Sequence, residues 1–308
     1  MGKDMLSVII TAKNNASTLK SCVEKVLRAP PKDKEVIIVY GKSRDDTEKI
    51  ARSFGEKVKI VEDNAGTGSA INSGVLTSKG DIIFYVEGHS FVSEDAFQKV
   101  LSTFKKYPDV GYIVFYRYVP TNLCWTSIQK LINLWRKENK NSTMGQFRAF
   151  RKETFFDIGG FWIFPNRRDD LEFATRIYNT RWKMKFLHAK CWDYPRTGLL
   201  PILFYNLTTG AAESCWFHIY FKHPYAKKEY KVKKHRLIIL FLLYKIVLKR
   251  LFLSPMYALK VAITRNSLAF FPFYSICQWM FVLGFIYGQL RWWGKEKWDK
   301  RVMRQWRE

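Results

Sequence analysis

Short apolar runs alternate with amphipathic segments through roughly the first 90 residues of the chain. The runs are rich in Val, Ile, Phe and Tyr and are bounded by Gly, Pro or polar residues, which predicts buried strands. The segments between them begin with side chains that cap helices, which predicts helices. The predicted strands lie at 6–11, 35–40, 58–62 and 81–86, and the helices begin near 14, 47 and 64. This alternation predicts an α/β fold, with a mostly parallel sheet flanked by helices.

The alternation continues, less regularly, toward residue 225. A glycine pair, Gly159-Gly160, precedes an acidic segment that opens another predicted helix at Asp169. The remaining predicted elements are helices at 95–107 and 125–140 and strands at 110–118 and 144–151.

After about residue 222 the chain becomes both apolar and basic. The segment 237–262 is apolar but carries four basic residues, which count against a clean crossing of a bilayer. The segment 267–290 has no charged residue and is long enough to cross a hydrocarbon core of about 30 Å. We therefore predict two domains, an α/β domain at 1–225 and a membrane-associated helical region at 226–308.

The sequence leaves three arrangements of this C-terminal region open: a hairpin of two crossings, interfacial or re-entrant helices in the cytoplasmic leaflet, and a buried helical subdomain. If the α/β domain is cytoplasmic, a single crossing would leave the basic tail outside the cell. The positive-inside rule disfavours that arrangement. Trp279 and Trp292 lie near basic residues, as in the aromatic belts of membrane interfaces. These features favour the interfacial or re-entrant arrangement.

The net charge limits the classes of partner, and the cysteines indicate the compartment. Lys and Arg outnumber Asp and Glu by 52 to 27, for a net charge of +25, which suits nucleic acid, anionic lipid or phosphorylated substrates. The positive charge lies beside apolar segments and no nucleic-acid recognition motif occurs, so we expect no nucleic-acid partner. Five scattered cysteines without a C-x-x-C pair, and no secretory signal before the first strand, predict a cytoplasmic α/β domain.

Candidate chemistry appears where the predicted strand at 81–86 ends. Glu87 and His89 are one residue apart, so in an extended segment their side chains project the same way and are able to bind one divalent cation. The alternative is a polar turn. Asp169, Asp170 and Glu172 begin a predicted helix, where a carboxylate either caps the helix or serves as a general base at the mouth of a crevice.

Six segments in order carry a resemblance to a known family. They lie at 7–14, 39–47, 70–74, 80–83, 159–161 and 169–176. Over about residues 5–225 the chain resembles the inverting GT-A glycosyltransferases of family 2. It is most similar to the subgroup like the succinoglycan-biosynthesis glycosyltransferase, whose metal motif is Asp-x-His and whose acidic motif is Glu-Asp-Asp-Glu.

The resemblance implies a role for each matching residue. Glu87 and His89 would bind Mg²⁺ or Mn²⁺ bridging the diphosphate of a nucleotide-sugar donor, and Asp170 would accept the proton of the acceptor hydroxyl. The residues implied to hold the nucleotide are Thr11, Ala12, Asn14, Tyr40, Gly41, Asn72 and Glu87.

The chain also departs from the family pattern. Tyr40 stands where the family commonly has an Asp that contacts a uridine base, so the base stays undefined. Asp169 replaces the usual Glu before the catalytic Asp; both remain candidates for the base, and we favour Asp170. Asp193 lies near the place of a metal-facing His in many relatives and is either a metal ligand or a turn residue. The Gln-x-x-Arg-Trp motif of processive polymerases is lacking, so we expect one sugar per encounter.

The sequence therefore predicts a metal-dependent inverting glycosyltransferase at the cytoplasmic side of the cell membrane. Its partners would be a nucleotide-diphosphate sugar, a polyprenyl-phosphate-linked or glycan acceptor, and an anionic membrane surface. The alternative is a catalytically silent relative that binds a nucleotide sugar or a partner enzyme at the membrane.

Overall fold

A central sheet of seven strands organises the first two thirds of the chain. The computed structural model describes residues 5–116, 131, 147–162, 169–178, 180–193, 199–222, 244 and 246–292. The strands of the large sheet are β1 (Leu6–Ala12), β2 (Glu35–Tyr40), β3 (Lys59–Glu62), β4 (Ile82–Glu87), β6 (Val110–Phe115), β7 (Arg148–Arg151) and β8 (Lys183–Leu187). A separate two-stranded ribbon contains β5 (Ser90–Phe91) and β9 (Trp192–Asp193).

Helices precede or follow nearly every strand. They are α1 (Ala16–Arg28), α2 (Thr47–Arg52), α3 (Thr67–Thr77), α4 (Ala96–Lys106), α5 (Lys152–Asp157), α6 (Asp169–Ile177), α7 (Leu199–Lys222), α8 (Ser254–Thr264) and α9 (Phe270–Trp292). A 3-10 turn at Gly55–Lys57 and a π-helical turn at Lys249–Leu253 complete the described elements.

The strand order is β3-β2-β1-β4-β7-β6-β8. β1 to β4 pair in parallel, whereas β7 is antiparallel to both β4 and β6, and β6 is again parallel to β8. The predicted mostly parallel α/β sheet is confirmed. The antiparallel insertion of β7 was not predicted, because its sequence reads as a strand without indicating its direction.

The core lies on both faces of this sheet, since successive residues of a strand point to opposite faces. Val8 and Ile10 pack in one apolar layer with residues of α1 and α4. Ile9 packs in the other layer with residues of α3 and α6. Burial on both faces explains why the parallel strands read as continuous apolar runs. Of the helix predicted at 125–140, Leu131 is described and is helical, and the other residues lie outside the described ranges.

Side chains from two helices form hydrogen bonds with the backbone of the Gly159-Gly160 turn. Both glycines adopt positive φ (79° and 71°), which side chains other than glycine rarely allow. On one side Asn72 of α3 donates to the carbonyl of Phe161 (2.7 Å) and accepts from its N–H (2.9 Å). On the other side Arg176 of α6 donates to the carbonyl of Gly160 (2.6 Å). Through the turn, these bonds connect the C-terminal end of α6 to α3.

The C-terminal helices form a second packed unit. α7 lies along α9, and α8 packs against the start of α9 through Ala258, Val261, Phe270 and Tyr274. Phe270–Leu290 is, within the described ranges, the one helical segment long and apolar enough to cross a membrane. Because α7 belongs by contact to this unit, the packing favours a domain boundary before α7, nearer to the sheet than the predicted 225; the division itself stays a prediction.

Replacing Asn72 tests the fastening of this turn. We expect Asn72→Ala to lower the free energy of unfolding by about 1–3 kcal/mol, because the buried N–H and carbonyl of Phe161 lose their partners. Chemical denaturation measures the change. Asn64→Ala, at an exposed position, is the control and should lower the free energy of unfolding less. Equal losses for the two variants would show that the hydrogen bonds of the Asn72 amide do not stabilise the turn.

Candidate active site

The carboxyl ends of β1, β2 and β4 meet at one edge of the sheet. Thr11 pairs with Glu87, and Ala12 pairs with Tyr40. The N–H of Gly41 donates to the carbonyl of Ala12 (2.9 Å), which holds the two loop starts together. Ligands bind at this edge in open α/β sheets, because the crevice between the loops opens there.

Glu87 and His89 face each other at the end of β4. His89 Nε2 lies 3.3 Å from Glu87 Oε2, and the two side chains are 24% and 23% exposed. Beneath them, the hydroxyl of Tyr85 lies 3.0 Å from Thr11 Oγ1 and 3.5 Å from Glu87 Oε1. Burial, followed by the charge of Glu87, raises the pKa of Tyr85, so this hydroxyl stays protonated and holds the acid in place.

The third predicted metal ligand, Asp193, is brought near this pair by strand pairing. β5 pairs with β9 so that Asp193 lies opposite Ser90, one residue beyond His89. Among the residues that the structure describes, no three His, Cys, Asp or Glu side chains are grouped for a metal ion. The described geometry is therefore a two-residue pair, and the role of Asp193 stays a prediction.

The two candidate bases differ in their surroundings. Asp169 is buried and pairs with Arg148 of β7, whose Nη1 lies 3.0 Å from Asp169 Oδ2. Burial raises the pKa of Asp169; the charge of Arg148 opposes this rise and that of Asp170 adds to it. Asp170 is half-buried beside this pair. Asp169 is thus committed to an internal ion pair, which leaves Asp170 as the better placed base.

Arg148 lies between the pair of Glu87 and His89 and the pair of Asp169 and Asp170. The guanidinium of Arg148 lies 4.9 Å from the ring centre of Tyr85, and the charge of Glu87 also contributes to the raised pKa of Asp169. A series of contacts, from Glu87 through Tyr85 and Arg148 to Asp169, therefore connects the end of β4 to the start of α6. The sequence placed these groups far apart in the chain, and the fold brings them together.

The predicted nucleotide residues divide into two groups. Thr11, Ala12 and Gly41 line the edge described above. Asn14, with φ of 53°, is exposed and binds the neighbouring loop, donating its N–H to Ser43 Oγ (3.1 Å) and accepting from the N–H of Arg44 (2.8 Å). Of these four residues, Thr11 is half-buried and Asn14 is exposed, whereas Ala12 and Gly41 are buried, and their roles at a nucleotide stay predictions.

The side chains of Tyr40 and Asn72 make hydrogen bonds inside the protein. Tyr40 is 2% exposed, and its hydroxyl accepts from Arg52 (2.8 Å) and bonds Glu48 (3.2 Å), so its side chain faces α2 rather than the crevice. Asn72 uses both ends of its amide on Phe161. The polar groups of both side chains are thus satisfied inside the protein, and the role of each residue at a nucleotide stays a prediction.

Sequence reasoning missed Arg148 and Tyr85. Arg148 stands between Phe147 and Ala149 in an apolar strand, and a charged residue in such a position indicates a buried partner. It also missed Asp45, which accepts from the N–H of Ala16 (2.9 Å) and from Thr47. Burial acts to raise the pKa of Asp45, but these hydrogen bonds outweigh it and lower that pKa. Asp45 thereby joins the loops after β1 and β2.

The sequence model described as "Glycosyl transferase family 2" matches residues 7–192. An uncharacterized glycosyltransferase of Rickettsia prowazekii (strain Madrid E) is 28% identical over 115 residues, 37% of this chain and 36% of that protein. The poly-beta-1,6-N-acetyl-D-glucosamine synthase of Staphylococcus epidermidis (strain RP62A) is 21% identical over 203 residues, 61% of this chain and 49% of that protein. The chain thus spans between about a third and a half of these relatives.

The fold is shared with a solved structure. The mannosyltransferase PcManGT from Pyrobaculum calidifontis, in complex with GDP-Man and Mn²⁺, superposes with a TM-score of 0.59 at 15% identity, over 94% of this chain and 88% of that chain. The protein belongs to glycosyltransferase family 2 and has the GT-A fold. The predicted family and fold are confirmed; the succinoglycan-type subgroup is not distinguished by these similarities and stays a prediction.

The ion pair predicts a specific stability pattern. Arg148→Met should lower the free energy of unfolding by about 3–5 kcal/mol, because it leaves a carboxylate buried without its cation. Adding Asp169→Asn should restore part of the loss. Since burial raises the pKa of Asp169 in the folded protein, the penalty of Arg148→Met should shrink as the pH falls and Asp169 binds a proton.

Denaturant unfolding at neutral and acidic pH checks this pattern. The control is Arg181→Met, since Arg181 is 66% exposed and pairs at the surface with Asp157, so its loss should cost less than about 1 kcal/mol. A double variant no more stable than Arg148→Met alone would contradict the coupling.

Proposed function

We propose that this protein is a metal-dependent inverting glycosyltransferase that moves one sugar from a nucleotide-diphosphate donor to an acceptor hydroxyl at a membrane. The observation that carries the proposal is the series of contacts from Glu87 through Tyr85 and Arg148 to Asp169, which connects the pair of Glu87 and His89 to the pair of Asp169 and Asp170. Family membership supports the reaction class.

The residues at the end of β4 fit a divalent cation. Glu87 offers a carboxylate oxygen and His89 an imidazole nitrogen from one partly open surface, and both are donors that Mn²⁺ and Mg²⁺ accept. Asp193 is the proposed third ligand, on the strength of its backbone position opposite Ser90. A bound cation would neutralise the negative charge that develops on the departing nucleoside diphosphate.

The acidic pair supplies the base. The acceptor oxygen attacks the anomeric carbon on the face opposite the diphosphate, the bond from that carbon to the diphosphate oxygen breaks, and Asp170 takes the hydroxyl proton. Displacement from the opposite face inverts the configuration. Arg148 holds Asp169, and with it the first turn of α6, so the adjacent carboxylate of Asp170 is held at the cleft. A positioned carboxylate base contributes about 10²–10⁴-fold to the rate.

Similar proteins support the proposed donor, and the exposed apolar side chains of the C-terminal helices support the proposed acceptor. Thr11, Ala12 and Gly41 form the proposed nucleotide wall, with Asn14 at its rim. The structural neighbour binds GDP-Man and Mn²⁺, and one relative is named a polysaccharide synthase. We propose a polyprenyl-phosphate-linked or growing glycan acceptor, because the C-terminal helices expose many large apolar side chains that suit a cell membrane, with the catalytic domain on its cytoplasmic side.

A second candidate is a catalytically silent relative that binds a nucleotide sugar at the membrane. The observation that favours it is Tyr40, whose buried side chain cannot make the base contact that the family's Asp provides. Metal-dependent turnover distinguishes the two candidates, since the silent relative would bind a nucleotide sugar without consuming it.

Activity assays on full-length protein in membranes test the proposal. We expect release of a nucleoside diphosphate from at least one of a panel of nucleotide sugars, with Mn²⁺ or Mg²⁺ and loss on adding EDTA. Asp170→Asn should reduce the rate by about 10²–10⁴-fold because it removes the base. His89→Ala should weaken activation by Mn²⁺ because it removes a metal ligand.

Asp109→Asn is the matched control, because Asp109 precedes β6 and lies at the opposite, amino edge of the sheet, paired with Lys183. It should leave the rate unchanged. Wild-type rates from folded Asp170→Asn would refute the assigned base, and no turnover with any donor would favour the silent relative.

A further inference from the structure

The two long C-terminal helices run side by side in the same direction. Near their starts, Ile202 of α7 packs with Phe273 and Cys277 of α9. Further along, Leu207 lies beside Gly284, and Ser214 lies beside Gly288. The contacts advance along both helices together, so α7 and α9 are parallel over most of their length.

Small residues bring the two backbones into close approach. A Cβ at Gly210 would overlap the carbonyl oxygen of Phe281, and one at Gly284 would overlap the carbonyl oxygen of Leu207. Gly210 and Ser214 are four residues apart, as are Gly284 and Gly288, which is the spacing of small-residue helix contacts in membranes. A contact this close fixes the two helices as one unit, so both must take the same orientation toward a bilayer.

In the sequence, a basic segment follows the C-terminal end of each of these two parallel helices. Seven Lys or Arg occur in 222–236, where α7 ends, and seven occur in 291–308, where α9 ends. The α/β domain adjoins the opposite end, because β9 ends at Asp193 and α7 begins at Leu199. At 1.5 Å per residue each helix is about 35 Å long, enough to cross a bilayer.

A crossing would therefore separate the catalytic domain from both basic sequences. If α9 spans the membrane, the attached α7 spans it in the same direction, and fourteen basic residues lie on the side opposite the nucleotide cleft. The positive-inside rule opposes that arrangement when the donor is cytoplasmic. A hairpin of α8 with α9 meets the same objection, since α7 stays packed along α9.

Arg250 provides an independent observation. Its guanidinium lies 3.6 Å from the ring centre of Phe281 and donates to Gln278, both in the middle of α9. In a spanning α9 this charge would lie near the bilayer centre, where arginine is costly and rare. Nearby Lys249 and Lys260 are exposed.

We propose that α7, α8 and α9 do not cross the membrane but lie in one leaflet, on the side of the nucleotide cleft, with anionic phospholipid as their partner. This inference rests on the proposed cytoplasmic donor. The exposed apolar side chains form the surface that would enter the acyl region, next to basic side chains that pair with lipid phosphates. The most exposed of them are Leu200, Phe204, Met256, Ile263, Leu268 and Leu290.

Labelling of the full chain in sealed membrane vesicles tests this topology. Single thiols are introduced by Glu308→Cys at the C-terminus and by Lys57→Cys, an exposed position in the α/β domain, and are treated with a membrane-impermeant maleimide. The unsubstituted chain controls for its own five cysteines. We expect both thiols to react in inside-out vesicles and neither in right-side-out vesicles.

Reaction of the two thiols from opposite faces would overturn the inference by showing that α9 spans. The transfer assay would be unaffected by that result, so the proposed function would stand. Loss of the chain from membranes at high salt without detergent would also overturn it, because helices inserted in a leaflet need detergent for release.

Lipid composition provides a second test. On vesicles of phosphatidylcholine with phosphatidylglycerol, Lys249→Gln and Lys260→Gln should each weaken binding about fivefold, the effect of about 1 kcal/mol per basic residue near an anionic surface. Lys57→Gln is the control and should change nothing. Equal binding of all variants to anionic vesicles would contradict a basic, lipid-facing surface on these helices.

Discussion

The buried ion pair between Arg148 and Asp169 is the interaction on which the candidate site depends. A charge inside a protein is tolerated when it is paired, and this pair joins the antiparallel strand β7 to the first turn of α6. The same guanidinium lies against Tyr85, whose hydroxyl contacts both Thr11 and Glu87. The guanidinium of Arg148 thus connects the end of β4, which carries Glu87, to the start of α6, which explains how residues from four distant segments keep a common geometry.

The turn around Gly159 and Gly160 provides the second support of α6. Asn72 and Arg176 bond its backbone from opposite sides, and the rings of Phe161 and Phe173 stack at 3.9 Å. α6 is a helix, so its residues are not aligned by strand pairing within the sheet. The turn and the ion pair together supply the alignment that a sheet gives to the other site residues.

Composition alone does not define how the C-terminal unit is arranged at a membrane. Phe270–Leu290 has the length and hydropathy of a spanning helix. Its glycine contact with α7, however, makes the orientation of one helix depend on that of the other, and the charged sequences beyond their ends then restrict both. Hydropathy measures the cost of inserting a segment, whereas topology depends on what that segment is attached to.

Much of this protein could be predicted from sequence. The apolar runs predicted β1 to β4 almost residue for residue, because strands buried on both faces must be continuously apolar, and six short motifs predicted the family. Glu87, His89 and Asp170 were chosen from their places at the ends of elements, where side chains reach a crevice. Arg148 and the burial of Tyr40 and Asn72 were out of reach, because they depend on contacts between segments far apart in the chain.

The sequence by itself determined the strands, the helices, the family and the residue types available for chemistry, since these depend on local periodicity and composition. The tertiary structure alone decided which carboxylate of the acidic pair is buried, which amides are already bonded, and that α7 and α9 run parallel. Those outcomes depend on the low dielectric of the interior and on close backbone contacts, and neither exists until the chain has folded.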